Sequence, residues 1–253
     1  MISVAVLILL LLVLAPVAAL LPHPAIAGLL VLAGWGLIDI GQMRMYLRTS
    51  RQEAAVVAVT LVATLVMPLA YAILVGVMAS LVVYLNRTSR PAMRSLVPDP
   101  RHTERQLAAP GEVLAECPQL KILSVEGSIY FGAVDHVESH FDTLRDLTRE
   151  QRNLLVVSRN INFVDVAGAE ALVREARKRR WDNGQLFLQG LRQPVEYVLK
   201  NGGFLHELGT ENVFRSKHEA IAGIFARLDR AICARCTARI FEECASLPPP
   251  REE

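Results

Sequence analysis

Apolar positions are unevenly spread along this chain. They run from Ser3 to Leu21 with no charge, pause at Pro22-His23-Pro24, and resume from Ala25 to Ile40. After a short polar stretch, Ala54 to Leu85 gives 32 further residues without a charge. A membrane-spanning helix needs about 20 mainly apolar residues to cross ~30 Å of hydrocarbon. The first two runs meet that length. As one straight helix the third would be about 48 Å long, and Pro68 near its middle removes a backbone donor and breaks it. The pattern therefore predicts four membrane helices, at about 3–21, 25–41, 54–68 and 70–86. The last two form a pair of short helices of ~15 residues, each reaching about 23 Å. Helices that short leave unpaired backbone groups in hydrocarbon unless other protein surrounds them. A secretory signal peptide is the rival for the first run, but Met1-Ile2-Ser3 carries no charge and the run is too long.

Flanking charge sets the expected topology. Arg44, Arg48 and Arg51 precede the third run, and Arg87, Arg90 and Arg94 follow it. Lys and Arg favour the cytoplasmic side, so both ends of the hairpin are expected there. The uncharged turn at residues 22–24 falls outside, and everything after the hairpin falls in the cytoplasm.

Residues 87–115 read as a linker, with Pro91, Pro98, Pro100 and Pro110 among charges. From Leu120 a different period begins. Leu120–Val125 predicts a strand, Gly127 a turn, and Ser128–Phe131 a second strand. Val134, Val137, Phe141, Leu144 and Leu147 recur at helical spacing. Asn153–Ser158 is a compact apolar run, as expected of a strand buried on both faces. A helix over 168–182 ends at Asn183-Gly184. A strand over 185–189, a helix around Val195–Leu199, a short strand at Val213-Phe214 and a last helix from Ser216 complete the series. Glu219 is placed as the capping-box partner of Ser216. The order ββαβαβαβα over 116–230 predicts a small α/β domain with helices packed on a sheet. Residues 231–253 are a cysteine-containing tail.

Charge sharpens the division. Of the 52 charged residues (27 basic, 25 acidic) only Asp39, Arg44, Arg48, Arg51 and Glu53 precede residue 87, which leaves 24 basic and 23 acidic behind. The back half has no basic excess to neutralise phosphates, so nucleic acid is excluded as a partner. No nucleophile–base–acid constellation is present, and an enzymatic role is not expected.

The segments GSIYFGAVDHV, NLLVVSRNINFVDVAGAEAL, GQLFLQGLRQPVEYVLKNGGF and ENVFRSKHEAI resemble a STAS domain, the fold shared by sulfate transporters and anti-anti-sigma factors. LPHPAIAGLLVLAGWGLID and AILVGVMASLVVYLNRTSRP resemble the last membrane helices of SulP-family anion transporters. The order, last helices then linker then STAS domain, is the SulP order. The resemblance implies a fourteen-segment membrane part whose anion site lies between half-helices of the third and tenth segments. This chain is expected to begin at about the eleventh, so no anion-binding residue carries over. It implies a secondary transporter of sulfate or a related anion. Here the chain would supply scaffold or gate helices and a regulatory, dimerising domain, and would not transport alone. The implied partners are the membrane, a second copy of the chain, and a companion chain bearing the missing helices. A membrane-anchored STAS module acting by protein contact is the alternative.

In anti-anti-sigma factors the turn after the strand reads Asp-Ser-Ser-Gly and its second serine is phosphorylated. The aligned positions here are Asp165, Val166, Ala167 and Gly168, so neither serine has a counterpart that could accept phosphate. The expected role of Asp165 is to cap the following helix, and that of Gly168 to allow close packing. Anion contact at the helix N-terminus is the alternative.

Other candidates have plainer readings. Arg174, Lys178, Arg179 and Arg180, with Arg177, concentrate charge on one helix. A solvated face is the default, and contact with anionic lipid is the alternative. Cys233, Cys236 and Cys244 have C-x2-C-x7-C spacing. On a continuous helix Cys233 and Cys244 would stand about 16 Å apart. Buried structural thiols are therefore expected, with zinc or redox pairing as alternatives and no cofactor or metal assigned. His136 and His140 lack a third ligand, and Asp39 is placed at a membrane boundary.

Overall fold

The computed structural model describes residues 22–99, 107–108 and 115–247, together with Val4, Val6, Ile8 and Leu10, which are helical and exposed. The rest of the expected first membrane segment, parts of the linker and the end of the tail lie outside the described residues. The chain divides into two compact units, Met1–Val83 and Tyr84–Glu253.

The first unit is helical. Helix α1 (His23–Leu37) starts at the Pro22-His23-Pro24 interruption and ends at Ile38. Asp39 separates it from α2 (Ile40–Thr49), accepting the Gln42 N–H at 3.0 Å. Helix α3 (Arg51–Val66) is capped by Ser50, whose hydroxyl accepts the Glu53 N–H at 3.3 Å. Met67 is extended, and Pro68 starts α4 (Leu69–Thr88). The break falls where the proline predicted it, but the two arms differ in length. Helix α3 has 16 residues and α4 has 20, so α4 reaches about 30 Å and is long enough to span. Among the described residues two segments, His23–Thr49 and Leu69–Thr88, are long and apolar enough to cross a membrane.

Small residues join α3 and α4. Ala63, Ala72 and Gly76 are the buried residues of the pair. A Cβ on Gly76 would lie 2.9 Å from Thr60 Oγ1, closer than real contacts allow. Close approach of backbones through small side chains is how helices associate where lipid removes any hydrophobic drive. Leu65, Val66, Leu69, Ile73 and Val77 project outward.

The second unit is an α/β domain. Its strands are β1 (Ala92–Pro98), β2 (Leu107–Ala108), β3 (Leu120–Ile129), β4 (Asn153–Val157), β5 (Ile161–Val164), β6 (Leu186–Gln189) and β7 (Val213–Phe214). They form one sheet in the order β2-β1-β3-β4-β6-β7, with β5 paired to the far end of β3. Strand β1 is antiparallel to β2 and β3, whereas β3, β4, β6 and β7 are mutually parallel. Parallel neighbours require crossovers. These are α5 (Val134–Leu147), α6 (Val166–Trp181), and α7 (Gln193–Asn201) with α8 (Phe204–Leu208). Helices α9 (Lys217–Phe225) and α10 (Arg230–Arg235) follow β7.

Both faces of the sheet are covered, which explains the unbroken apolar run of β4. Leu154 and Val156 join Val137, Phe141, Leu172 and Leu188 on one side, while Leu155 joins Phe187, Ile221 and Phe225 on the other. Ser216 caps α9 through the Glu219 N–H at 3.1 Å, and the Glu219 carboxylate returns to the Arg215 N–H at 3.0 Å.

Two expectations are corrected. The segment read as a linker contains β1, which pairs with β3 from Ala92↔Glu126 to Leu96↔Ile122. Pro91 precedes this strand and Pro98 is its last residue, so neither interrupts it. The expected strand–turn–strand over 120–131 is one strand. Gly127, at φ 132°, shifts its register so that its end pairs with β5. The expectation of buried thiols in the tail holds for Cys233 and Cys244, which lie with Phe241 in the second core layer.

Candidate functional site

The turn from β5 into α6 lies against the end of β3. Asp165 is the N-cap of α6, its Oδ1 accepting the Gly168 N–H at 2.8 Å. Its Oδ2 accepts the Phe131 N–H at 2.9 Å, and its own N–H reaches the Ile129 carbonyl at 3.3 Å. One carboxylate thus ties the helix start to the end of the neighbouring strand. Gly168 is required by contact: a Cβ there would meet the Ile129 oxygen at 2.1 Å. Val166 is exposed and Ala167 half-buried, so the turn offers no hydroxyl to solvent. Around it stand the exposed side chains of Phe131 and Phe163, with Tyr130 stacked on Phe163 at 6.0 Å between ring centroids.

The charged helix α6 is largely paired within the domain. Arg174 donates to Glu138 at 2.6 Å and Lys178 to Asp142 at 2.8 Å. Arg177 pairs with Glu207, and Arg180 donates to the Glu207 carbonyl at 2.9 Å. Arg179 lies wholly inside, 1% exposed. It binds Glu175 at 2.7 Å and donates to the carbonyls of Gln151 and Arg152 at 3.1 and 3.3 Å. The expectation of a solvated or lipid-facing Arg179 is therefore wrong, because the residue sits one i+7 step along the stripe of Leu172. Arg174 and Lys178 already face carboxylates. Hydrogen bonding by Lys178, reinforced by Arg145, holds the Asp142 carboxyl below its ordinary range.

The four cysteines do come together. Cys117, Cys233, Cys236 and Cys244 line one small cavity, which a continuous helix through the tail would not allow. Helix α10 stops at Arg235 and Cys236 is extended, which lets the chain fold back. None of the four is in a disulfide. Among the described residues no group of three or more His, Cys, Asp or Glu stands at metal-binding distances. His136 and His140 share a face of α5, where burial and the neighbouring His136 lower the pKa of His140.

Residues 113–220 match the STAS domain family. The chain is 23% identical over 218 residues to YvdB of Bacillus subtilis (strain 168), a candidate sulfate transporter; the match takes in 86% of this chain and 39% of YvdB. Its fold is similar to murine solute carrier 26 family member A9, an anion transporter, in the inward-facing state (TM-score 0.63, 21% identity, 74% of this chain and 30% of that one). A second structure, of SLC26A9, gives a TM-score of 0.65 at 18% identity, covering 75% of this chain and 33% of that one. The chain thus spans well under half the length of these relatives. YvdB is named as a sulfate transporter and the murine protein as an anion transporter, and among the described residues two helices here are long and apolar enough to cross a membrane. Residues 113–220 are thus STAS-like, and over 86% of its length the chain is similar, at 23% identity, to a protein named as a sulfate transporter.

Proposed function

We propose that this chain serves as the C-terminal portion of a SulP-type secondary transporter for sulfate or a related anion. The observation that carries the reading is the similarity to YvdB over 86% of the chain, in which apolar helices precede a STAS domain. Four terminal membrane helices supply scaffold or gate surface, the α3–α4 hairpin packing through Thr60 and Gly76. Both ends of the hairpin carry arginines, which favours a cytoplasmic STAS domain. That domain supports dimer contacts between copies and regulation. The turn at Asp165, Ala167 and Gly168 acts there as a fixed structural joint and not as a phosphorylated switch.

The outward apolar side chains of α3 and α4 call for further protein or lipid around them. A companion segment bearing the remaining helices is the natural source, and the anion site lies in that segment. Radiolabelled sulfate uptake into vesicles containing this chain alone tests the reading: background uptake is expected, and saturable uptake would overturn the division of labour. A membrane-anchored module acting by protein contact is the second reading. It is favoured by the apolar rim of Phe131, Phe163 and Val166 around the Asp165 turn. That rim predicts a stable complex with a partner protein that survives when the companion helices are absent.

A further inference from the structure

We propose that the apolar rim around the Asp165 turn seats the α/β domain on the surface of the lipid bilayer, with Phe131, Phe163 and Val166 entering the headgroup layer and Arg90, Arg159 and Arg192 meeting lipid phosphates. The proposal rests on the reading that α4 crosses a membrane. Among the described residues nothing covers this rim: Phe131 is 80% exposed, Val166 60% and Phe163 45%. Clustered apolar surface of this kind marks a contact with another protein or with a membrane.

The route of the chain favours the membrane. Helix α4 is long and apolar enough to cross, and its last turn, from Tyr84 to Thr88, belongs to the second unit. Only Ser89, Arg90 and Pro91 separate it from β1. Strand β1 then runs antiparallel to β3, starting at the Ala92↔Glu126 pair. Pro91 lies against Gly127, where an added Cβ would stand 3.2 Å from the Pro91 Cβ. Going back from Ala92 toward α4 therefore follows the same direction as going on from Glu126 toward Phe131. Thr88 is at most about 14 Å back along that path, whereas Phe131 is about 16 Å on in extended chain. The rim thus reaches the height of the last turn of α4. It is also close sideways, because β5, which carries Phe163, pairs directly with β3. Tyr84 and Arg87 mark this height as the interface, since aromatic rings and long basic side chains collect at headgroup level.

Charge fits the same surface. Arg90 and Arg159 are exposed and form no ion pair among the described residues, and the exposed Arg192 reaches only Asn162 Oδ1, at 3.2 Å. Asp165, at the centre of the rim, has its two oxygens taken up by backbone N–H groups. The carboxylates of Glu126 and Asp135 at the same end limit any preference for anionic lipid, so the seat suits phosphate headgroups in general. The short tether holds the domain at the surface, so even a weak contact is populated. Trp181 is 89% exposed as well, but the 16 residues of α6 place it about 24 Å from Val166, at the opposite end of the domain.

The test uses the full chain in phosphatidylcholine–phosphatidylglycerol vesicles whose acyl chains are brominated near the headgroup. Bromine quenches only the indoles it can touch. The chain has two tryptophans, Trp35 in an apolar segment and Trp181. Trp181→Phe leaves Trp35 as the reporter, Trp35→Phe leaves Trp181, and Phe131→Trp with both of those changes reports the rim. The rim reporter should lose about half its emission, as befits a ring seated about 5–10 Å into the headgroup–acyl boundary. Trp35 should be strongly quenched and Trp181 not at all. Val166→Trp in the same background should repeat the result at a second exposed position. Adding Arg159→Glu and Arg192→Glu should diminish the loss, and an undiminished loss would overturn the phosphate contacts. An unquenched Trp35 would overturn the membrane reading and this proposal with it. Quenching of Trp35 with both rim reporters unquenched would overturn this proposal alone and leave the rim to a partner protein. Quenching of Trp181 equal to that of the rim would also overturn it, since no end of the domain would then be seated.

Discussion

Gly168→Ala perturbs the contact on which the α6 joint depends. The added methyl would sit 2.1 Å from the Ile129 oxygen and 2.7 Å from its carbonyl carbon. An ordinary C···O contact is about 3.3 Å, so strand and helix must separate by roughly 1.2 Å. That movement stretches the 2.8 Å cap from Asp165 and the 3.3 Å bond from Asp165 N–H to Ile129. Overpacking of this kind is destabilising by about 1–3 kcal/mol. Loss of an N-cap adds about 0.5–2 kcal/mol. Alanine returns about 1 kcal/mol of helix propensity. The net loss is about 2 kcal/mol, or roughly 4–8 °C in Tm for a domain of this size. All four cysteines lie in this domain, so a thiol-reactive fluorogenic dye reports its unfolding selectively in the purified full chain. Gly34→Ala, where nothing lies within 4 Å of the new methyl, is the control. A Gly168→Ala melting point equal to that of the control would show that α6 does not depend on this close approach.

Arg179→Met should destabilise the domain by about 3 kcal/mol, the low end for breaking a buried pair, since buried Glu175 keeps only Arg145 at 3.3 Å. Adding Glu175→Leu should recover most of that loss in the same thermal assay. The hairpin is expected to fail at Gly76→Leu, which drives a side chain into Thr60; Thr60→Gly should partly restore the fraction that stays monodisperse on heating in detergent. The acid limb of stability follows from two carboxylates whose pKa is lowered by folding. Lys178 and then Arg145 depress Asp142, while at Glu116 burial is outweighed by hydrogen bonds from Lys121 and Gln151. Stability linked to them is complete above the ordinary carboxylate range and is lost as pH falls below about 4. Asp142→Asn should flatten that limb in a Tm-versus-pH series, and an unchanged slope would remove Asp142 from it.

Much of this organisation is written locally in the chain. Pro68 divides the third apolar run, the double-sided burial of β4 shows in Asn153–Val157, and Ser216 with Glu219 marks the start of α9. Strand β1 escaped because Arg94 and Ser95 interrupt its apolar pattern and prolines flank it; it is identified only by its pairing with β3. Gly127 suggests a reversal in the sequence because a glycine between two apolar runs fits a turn as well as a change of pairing partner. The burial of Arg179 is legible in principle, since Leu172, Ala176 and Arg179 follow one helical stripe, but its place in a run of basic residues points to solvent. The convergence of cysteines was not legible. Cys117 reaches Cys233 only through the sheet, and no local pattern foretells that α10 ends at Arg235.

The central claim is that this chain completes an anion transporter whose substrate site lies on other helices. The direct measurement is radiolabelled sulfate uptake into proteoliposomes holding this chain, a separately produced membrane segment of a SulP-type relative, or both together. The account predicts background uptake for each alone and saturable uptake for the pair. Saturable uptake by this chain alone, or a pair no more active than its parts, would contradict it.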